Sequence, residues 1–250
     1  MAGSLSQTLN GGEKALKLKT LGTAVPIVAL FFAFTQARPQ EAVPAANSKF
    51  RGEVEKFAAL PVPAPGGVLL VGSSIFKRWT NAVQDLAPLP VTNRAFGGSQ
   101  TSHQLIFFDQ VVPPCRPGLI VWYCGSNDIK GGKDPRSVLQ RVDDWLGKVA
   151  QTDPSIRVLL VSVIRSPQKR RDGQMEAVDE VNRGYEELSR KKPGIFYVDV
   201  NPALQTEDGQ SKTDLYLEDG LHFNVEGYHQ MITLLRPAIE KHWNKKEPNS

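Results

Sequence analysis

The chain reads as an α/β protein, a three-layer α/β/α sandwich around a five-stranded, mostly parallel sheet. Three observations predict this. Short apolar runs recur at 68–71, 90–93, 119–123, 158–163 and 195–198, and unbroken runs bounded by glycine or polar turns suit strands buried on both faces. Stretches with helical spacing of apolar residues lie between these runs, the alternation of a parallel sheet covered by helices. Three of the runs end in glycine- and serine-rich turns, and open α/β sheets gather their ligand groups at the carboxyl ends of the strands.

The 250 residues suffice for one such domain with a sizeable core. Net charge is +4, from 30 Lys and Arg against 26 Asp and Glu. No basic stripe alternates with aromatic residues, which argues against a nucleic-acid partner. The clusters Lys169-Arg170-Arg171 and Arg190-Lys191-Lys192 are expected on solvated surface. Cys115 and Cys124 flank the third predicted strand. Extended chain at about 3.3 Å per residue carries them beyond the roughly 4.4–6.8 Å Cα separation of a disulfide, so both are expected as free thiols. No Cys/His cluster has metal-ligand spacing, and neither a metal nor a cofactor is expected.

Residues 1–37 read as a targeting segment rather than as fold. Lys14, Lys17 and Lys19 precede an apolar run over 21–34, and Thr35-Gln36-Ala37 offers small residues to a signal peptidase near Ala37. The run falls short of the about 20 residues of a membrane span, which favours a cleaved signal over the alternative of an N-terminal anchor. The domain is therefore expected to be secreted or periplasmic, with any membrane contact made through an uncleaved N-terminal segment. Residues 38–47, rich in Pro and Ala, read as a linker. A single domain is expected over 48–250.

Within that domain, 48–60 places Phe50, Val54, Phe57 and Ala58 on one helical face. After the 68–71 strand, 75–86 carries Trp79, Val83 and Leu86 at helical spacing, and 101–111 reads as a further helix. Asp134-Pro135 has the form of a capped helix start, continued by Val138, Val142, Trp145 and Val149. A helix over 175–188 presents Val178, Val181, Tyr185 and Leu188 to one side, and Asn224 caps a last helix that runs to Trp243. Trp122 and Tyr123 are expected to pack within their strand. His103, His229 and His242 fall within helical patterns and are expected to be structural or exposed.

The turns carry the chemistry. Gly72-Ser73-Ser74, Gly97-Gly98-Ser99 and Gly125-Ser126-Asn127-Asp128 follow three predicted strands, and a parallel sheet brings them to one edge. Arg165-Ser166-Pro167, after the fourth strand, is a further candidate to line that crevice. Late in the chain, Asp219-Gly220-Leu221-His222 precedes the final helix. A carboxylate three residues before a histidine can accept from one ring nitrogen while the other faces a serine.

In these four blocks the chain resembles the GDSL or SGNH hydrolases, over roughly residues 68–243. Gly72-Ser73-Ser74-Ile75 is similar to the family's Gly-Asp-Ser-Leu block, Asn93-Arg94-Ala95-Phe96-Gly97-Gly98-Ser99 to its second, Gly125-Ser126-Asn127-Asp128 to Gly-x-Asn-Asp, and Asp219-Gly220-Leu221-His222 to Asp-x-x-His. The resemblance implies a flavodoxin-like SGNH fold and a serine esterase. Ser74 would be the nucleophile, His222 the base and Asp219 its orienting acid. The backbone N–H groups of Ser74 and Gly98 and the side-chain amide of Asn127 would form the oxyanion hole, with Gly97 the second choice to Gly98. Asp128 is expected to make structural hydrogen bonds. One departure stands out: Ser73 occupies the position of the family's block-one Asp, so the hydrogen bonds near that turn must be made by other groups. The expected substrates are small esters, short-acyl or acetyl, including acetylated sugars or small lipids. An acyltransferase using the same acyl-enzyme, or a catalytically silent binding module on the same fold, are the alternatives.

Overall fold

The structure is a computed structural model that describes residues 48–243. The expected signal segment, the expected linker and the last seven residues of the predicted domain lie outside the described residues. Five strands, β1 (Val68–Gly72), β2 (Val91–Asn93), β3 (Leu119–Tyr123), β4 (Arg157–Val161) and β5 (Ile195–Val198), pair in parallel in the order β2-β1-β3-β4-β5. β1 and β3 are buried at every residue, as continuous apolar runs at the centre of a parallel sheet should be.

Alternate residues of these strands feed two cores. Leu69, Val71, Ile120, Trp122, Val158 and Leu160 pack on one side with α1 (Ser48–Ala58), α5 (Phe108–Val111), α7 (Pro135–Thr152) and α9 (Met175–Lys191). Val68, Leu70, Leu119, Val121, Leu159 and Val161 pack on the other with α2 (Ser74–Arg78), α3 (Ala82–Asp85), α10 (Asn201–Leu204) and α11 (Val225–His242). Each fully buried side chain of this kind contributes roughly 1.5–3 kcal/mol relative to exposure. The three-layer α/β/α sandwich thus has a core on each face of the sheet. Asp134 caps α7 through the N–H of Arg136, and Asn224 caps α11 through that of Gly227.

The strand order has a consequence for the site. From β1 the chain steps outward to β2, then crosses back to β3 on the other side. The crevice of such a sheet lies at the carboxyl ends of the strands where the order reverses, here between β1 and β3. Gly72, at the end of β1, pairs with Tyr123 at the end of β3. It has φ +149°, and a Cβ there would lie 1.9 Å from the Tyr123 carbonyl oxygen. Only glycine lets the two strands close up at this point.

Several local expectations are corrected. The helix expected over 75–86 is two short ones, α2 and α3, interrupted at Trp79. Trp79 is buried, stacks on Tyr228 and donates from Nε1 to Asp85 at 2.6 Å, and its packing across the gap resets the helical register. Val83 is therefore half exposed and Ala82 takes the buried position. The 101–111 stretch also breaks, into α4 (Thr101–Ile106) and α5, at Phe107. The break lets the consecutive Phe107 and Phe108 both enter the core. In α1, Phe50 and Val54 are buried but Ala58 is exposed. β4 ends at Val161 rather than residue 163. Cys115 and Cys124 are free and buried. The largest correction is Lys169, which is wholly buried instead of solvated. It lies on α8 (Pro167–Arg171), an element the apolar pattern did not reveal, as is α6 (Ser126–Lys130).

Candidate active site

The turn after β1 is fixed by hydrogen bonds to one carbonyl. The Gly72 oxygen accepts from Phe96 N–H at 3.0 Å, Ser99 Oγ at 3.2 Å and Gln104 Nε2 at 3.0 Å. The Ser73 N–H donates across to the Tyr123 oxygen at 3.0 Å, and Ser73 is buried. These bonds hold the turn in a chain that has serine, not aspartate, at position 73. Ser74 follows as the first residue of α2, where the backbone N–H has no acceptor within the helix.

Ser74 Oγ lies 2.9 Å from His222 Nε2, across 148 residues of sequence. The other ring nitrogen, Nδ1, lies 2.5 Å from Asp219 Oδ2. Asp219 Oδ1 accepts the backbone N–H groups of Leu221 and His222, each at 2.9 Å. Desolvation opposes ionisation of this carboxyl, but the bonds from the His222 ring and from the two backbone N–H groups prevail and lower it to about 2. With the acid ionised, Nδ1 carries the proton and Nε2 is the acceptor for a serine hydroxyl.

The second and third turns close around this pair. Gly97 N–H is turned toward Glu53 at 3.4 Å, whereas Gly98 N–H has no acceptor among the described residues. Asn127 donates one amide hydrogen to the Ser99 carbonyl at 3.0 Å, which leaves its second free. Asp128 is buried and takes the Thr101 N–H at 3.0 Å and the Thr101 hydroxyl at 2.7 Å. Burial raises the Asp128 carboxyl, against the pull of those bonds and of Arg141. Its part is to tie the Asn127 turn to the start of α4.

Lys169 and Arg171 escaped the sequence reading. Lys169 Nζ donates to the Ser126 carbonyl at 2.8 Å and to Gln174 Oε1 at 2.9 Å. Burial lowers its ammonium to about 8, partly offset by Asp172 and reinforced by Lys130. From the same short helix, Gln168 N–H donates to the Gly220 carbonyl at 2.9 Å and Arg171 to the Asp219 carbonyl at 2.8 Å. α8 therefore grips both the Asn127 turn and the Asp219–His222 loop. A signal was present: Ser166-Pro167 has the same cap-plus-proline form as Asp134-Pro135, and Ser166 does cap α8. Arg165 does not serve the crevice as a free cation, because Asp179 pairs with it. His103 is structural: its Nδ1 accepts the Gln100 N–H at 2.9 Å, and its ring packs on Phe50. Among the described residues no group of three or more His, Cys, Asp or Glu side chains could hold a metal ion.

A parallel α/β/α sandwich with a serine, a histidine and an acid linked at its switch point defines a hydrolase-like class of protein. Known proteins narrow this. The profile of the GDSL-like lipase/acylhydrolase family matches residues 67–230. Among solved structures, a GDSL-like lipase from Bacteroides thetaiotaomicron VPI-5482 superposes with a TM-score of 0.64 at 23% identity, over 78% of this chain and 98% of that one. The lipase/acylhydrolase from Enterococcus faecalis gives 0.61 at 18% identity, over 73% and 100%. A carbohydrate esterase family 3 structure from Talaromyces cellulolyticus gives 0.56 at 16% identity, over 70% and 97%. No curated protein matched in the sequence search. The chain belongs to the GDSL-like lipase/acylhydrolase family, and it is an ester hydrolase with a five-stranded parallel sheet of the family's kind.

Proposed function

We propose that the chain is an exported serine esterase acting on short-acyl or acetyl esters through Ser74, His222 and Asp219. The observation that carries this reading is the continuous hydrogen-bonded path from Ser74 Oγ through the His222 ring to Asp219. His222 Nε2 takes the Ser74 proton as Oγ attacks the ester carbonyl carbon, and returns it to the departing alcohol oxygen. Water then enters by the same route, releasing the acid and restoring the serine. Asp219 holds the ring tautomer and balances the imidazolium. The oxyanion of each tetrahedral intermediate meets the N–H groups of Ser74 and Gly98 and the free amide hydrogen of Asn127. Loss of one such donor typically costs about 10²–10³ in rate.

The His222 side chain is 14% exposed and that of Asp219 46%. A site this near the surface favours an acyl group too short to need an enclosed tunnel. The carbohydrate esterase among the structural neighbours favours acetylated sugars within that class. The lysines before the 21–34 apolar run and the small residues near Ala37 support export, to a secreted or periplasmic location.

The test is a fluorophosphonate probe with an ester panel graded by acyl length and including acetylated sugars. The expected result is a single label at Ser74, fastest turnover on the shortest acyl groups, and loss of both label and turnover in Ser74→Ala with the fold intact. Near-normal hydrolysis by that variant would overturn the assignment.

A further inference from the structure

Residues of α1, of the segment 59–63 and of α5, with Pro114 and Cys115 after it, line a cavity of about 490 Å³. This volume lies within the roughly 300–1,000 Å³ of small-molecule sites. Phe57, Leu60, Val62 and Pro114 give it apolar walls. Leu60 and Val62 are 46% and 66% exposed, large apolar side chains left facing solvent.

Arg94 also lines this cavity, yet it is only 7% exposed. Among the described residues no carboxylate pairs with its guanidinium. Its side-chain partners are the Phe57 ring, 5.4 Å away, and the Cys115 thiol. Burial pushes that thiol up despite the pull of Arg94, so it supplies no counter-charge. Arg94 thus lines the cavity with no carboxylate paired to it, and five fixed N–H donors suit a carboxylate in particular. Glu55 and Asp109 reach the same cavity, but Glu55 is exposed, and Asp109 is exposed and paired with Lys148. Two carboxylates at the rim disfavour an occupant with two negative charges.

We propose that this cavity binds an aliphatic monocarboxylate, its carboxylate on Arg94 and its hydrocarbon chain along Phe57, Leu60 and Val62. None of the lining residues belongs to the loops of Ser74 or His222. Arg94 precedes Gly98 by four residues, so the two sites are neighbours in sequence, but the binding proposed here does not require Ser74 or His222. An ester hydrolase also releases acids of this class.

Calorimetric titration of the full chain with sodium octanoate tests it. Ser74 is first capped with fluorophosphonate so that product binding there does not contribute; if the probe fails to label, Ser74→Ala replaces the capped protein. A labelling failure thus bears on the nucleophile and leaves this experiment intact. The expected result is one saturable site, weakened at least about tenfold by Arg94→Gln and by Val62→Glu, with 1-octanol at least about tenfold weaker than octanoate. Val62 is exposed, so its substitution reads binding even where Arg94→Gln fails to fold. Absence of saturable octanoate binding, equal affinity for octanol, or unchanged affinity in Val62→Glu would each overturn the proposal.

Discussion

Asp219 accepts three hydrogen bonds through two oxygens, from the His222 ring, His222 N–H and Leu221 N–H. An asparagine there keeps the acceptor for the backbone but turns an N–H donor toward Nδ1. The ring must then present its acceptor to residue 219 and its proton to Ser74, the wrong tautomer for a base. Asp219→Asn should lower kcat on the order of 10⁴-fold while KM changes little, measured on a short-acyl ester. The carboxyl itself sets a sign. Its folded value, about 2, lies below the ordinary 3.8. Its stabilising effect is present above the ordinary value and fades as pH falls through the folded one. Loss of activity well above that range must come from another group. Among individual residues, Ser74, Asp219 and His222 could be named from sequence because glycine turns and Asp-x-x-His spacing are local patterns. Lys169 could not, because three consecutive basic residues look alike until a fold chooses which one to bury.

At the scale of elements, α8 deserves a direct experiment. Its Lys169 is buried with an ammonium lowered to about 8 from the ordinary 10.5. Between those two values the unfolded chain binds more protons than the folded one, so this group makes stability rise with pH across that window. Lys169→Met removes the slope. It also leaves the Ser126 carbonyl without its Nζ donor, a change worth about 1–3 kcal/mol in the opposite sense. Urea unfolding at intervals from pH 7.5 to about 10.5 reads the linkage: the variant's midpoint depends less on pH and falls further behind the parent's as pH rises. Long elements were legible in the sequence because their period is sustained; α7, α9, α11 and β3 fell close to their predicted bounds. The one-turn helices were not. A single turn buries too few side chains to leave a period, and the breaks at Trp79 and Phe107 depend on what those rings meet across the fold.

For the molecule as a whole, the order β2-β1-β3-β4-β5 is what makes a site from distant turns. The alternation of runs and helices implied a parallel sheet but not the neighbour of each strand, since pairing is a long-range choice. The contact between the ends of β1 and β3 tests that architecture. Gly72→Ala would put a methyl 1.9 Å from the Tyr123 carbonyl oxygen. Either the central strands part or the turn carrying Ser74 shifts. The variant should lose about 3 kcal/mol or more of stability by urea unfolding and lose fluorophosphonate labelling with it.

The 148 residues between Ser74 and His222 also impose a timetable. Loop closure over such a distance is entropically late. A growing or refolding chain can assemble its central strands while the imidazole is still far from the hydroxyl. Of the four tryptophans only Trp122 lies on a strand. In a chain whose other three are replaced by phenylalanine, regain of turnover after dilution from denaturant is expected to trail the return of Trp122 fluorescence, the proposed triad being incomplete until the His222 loop docks.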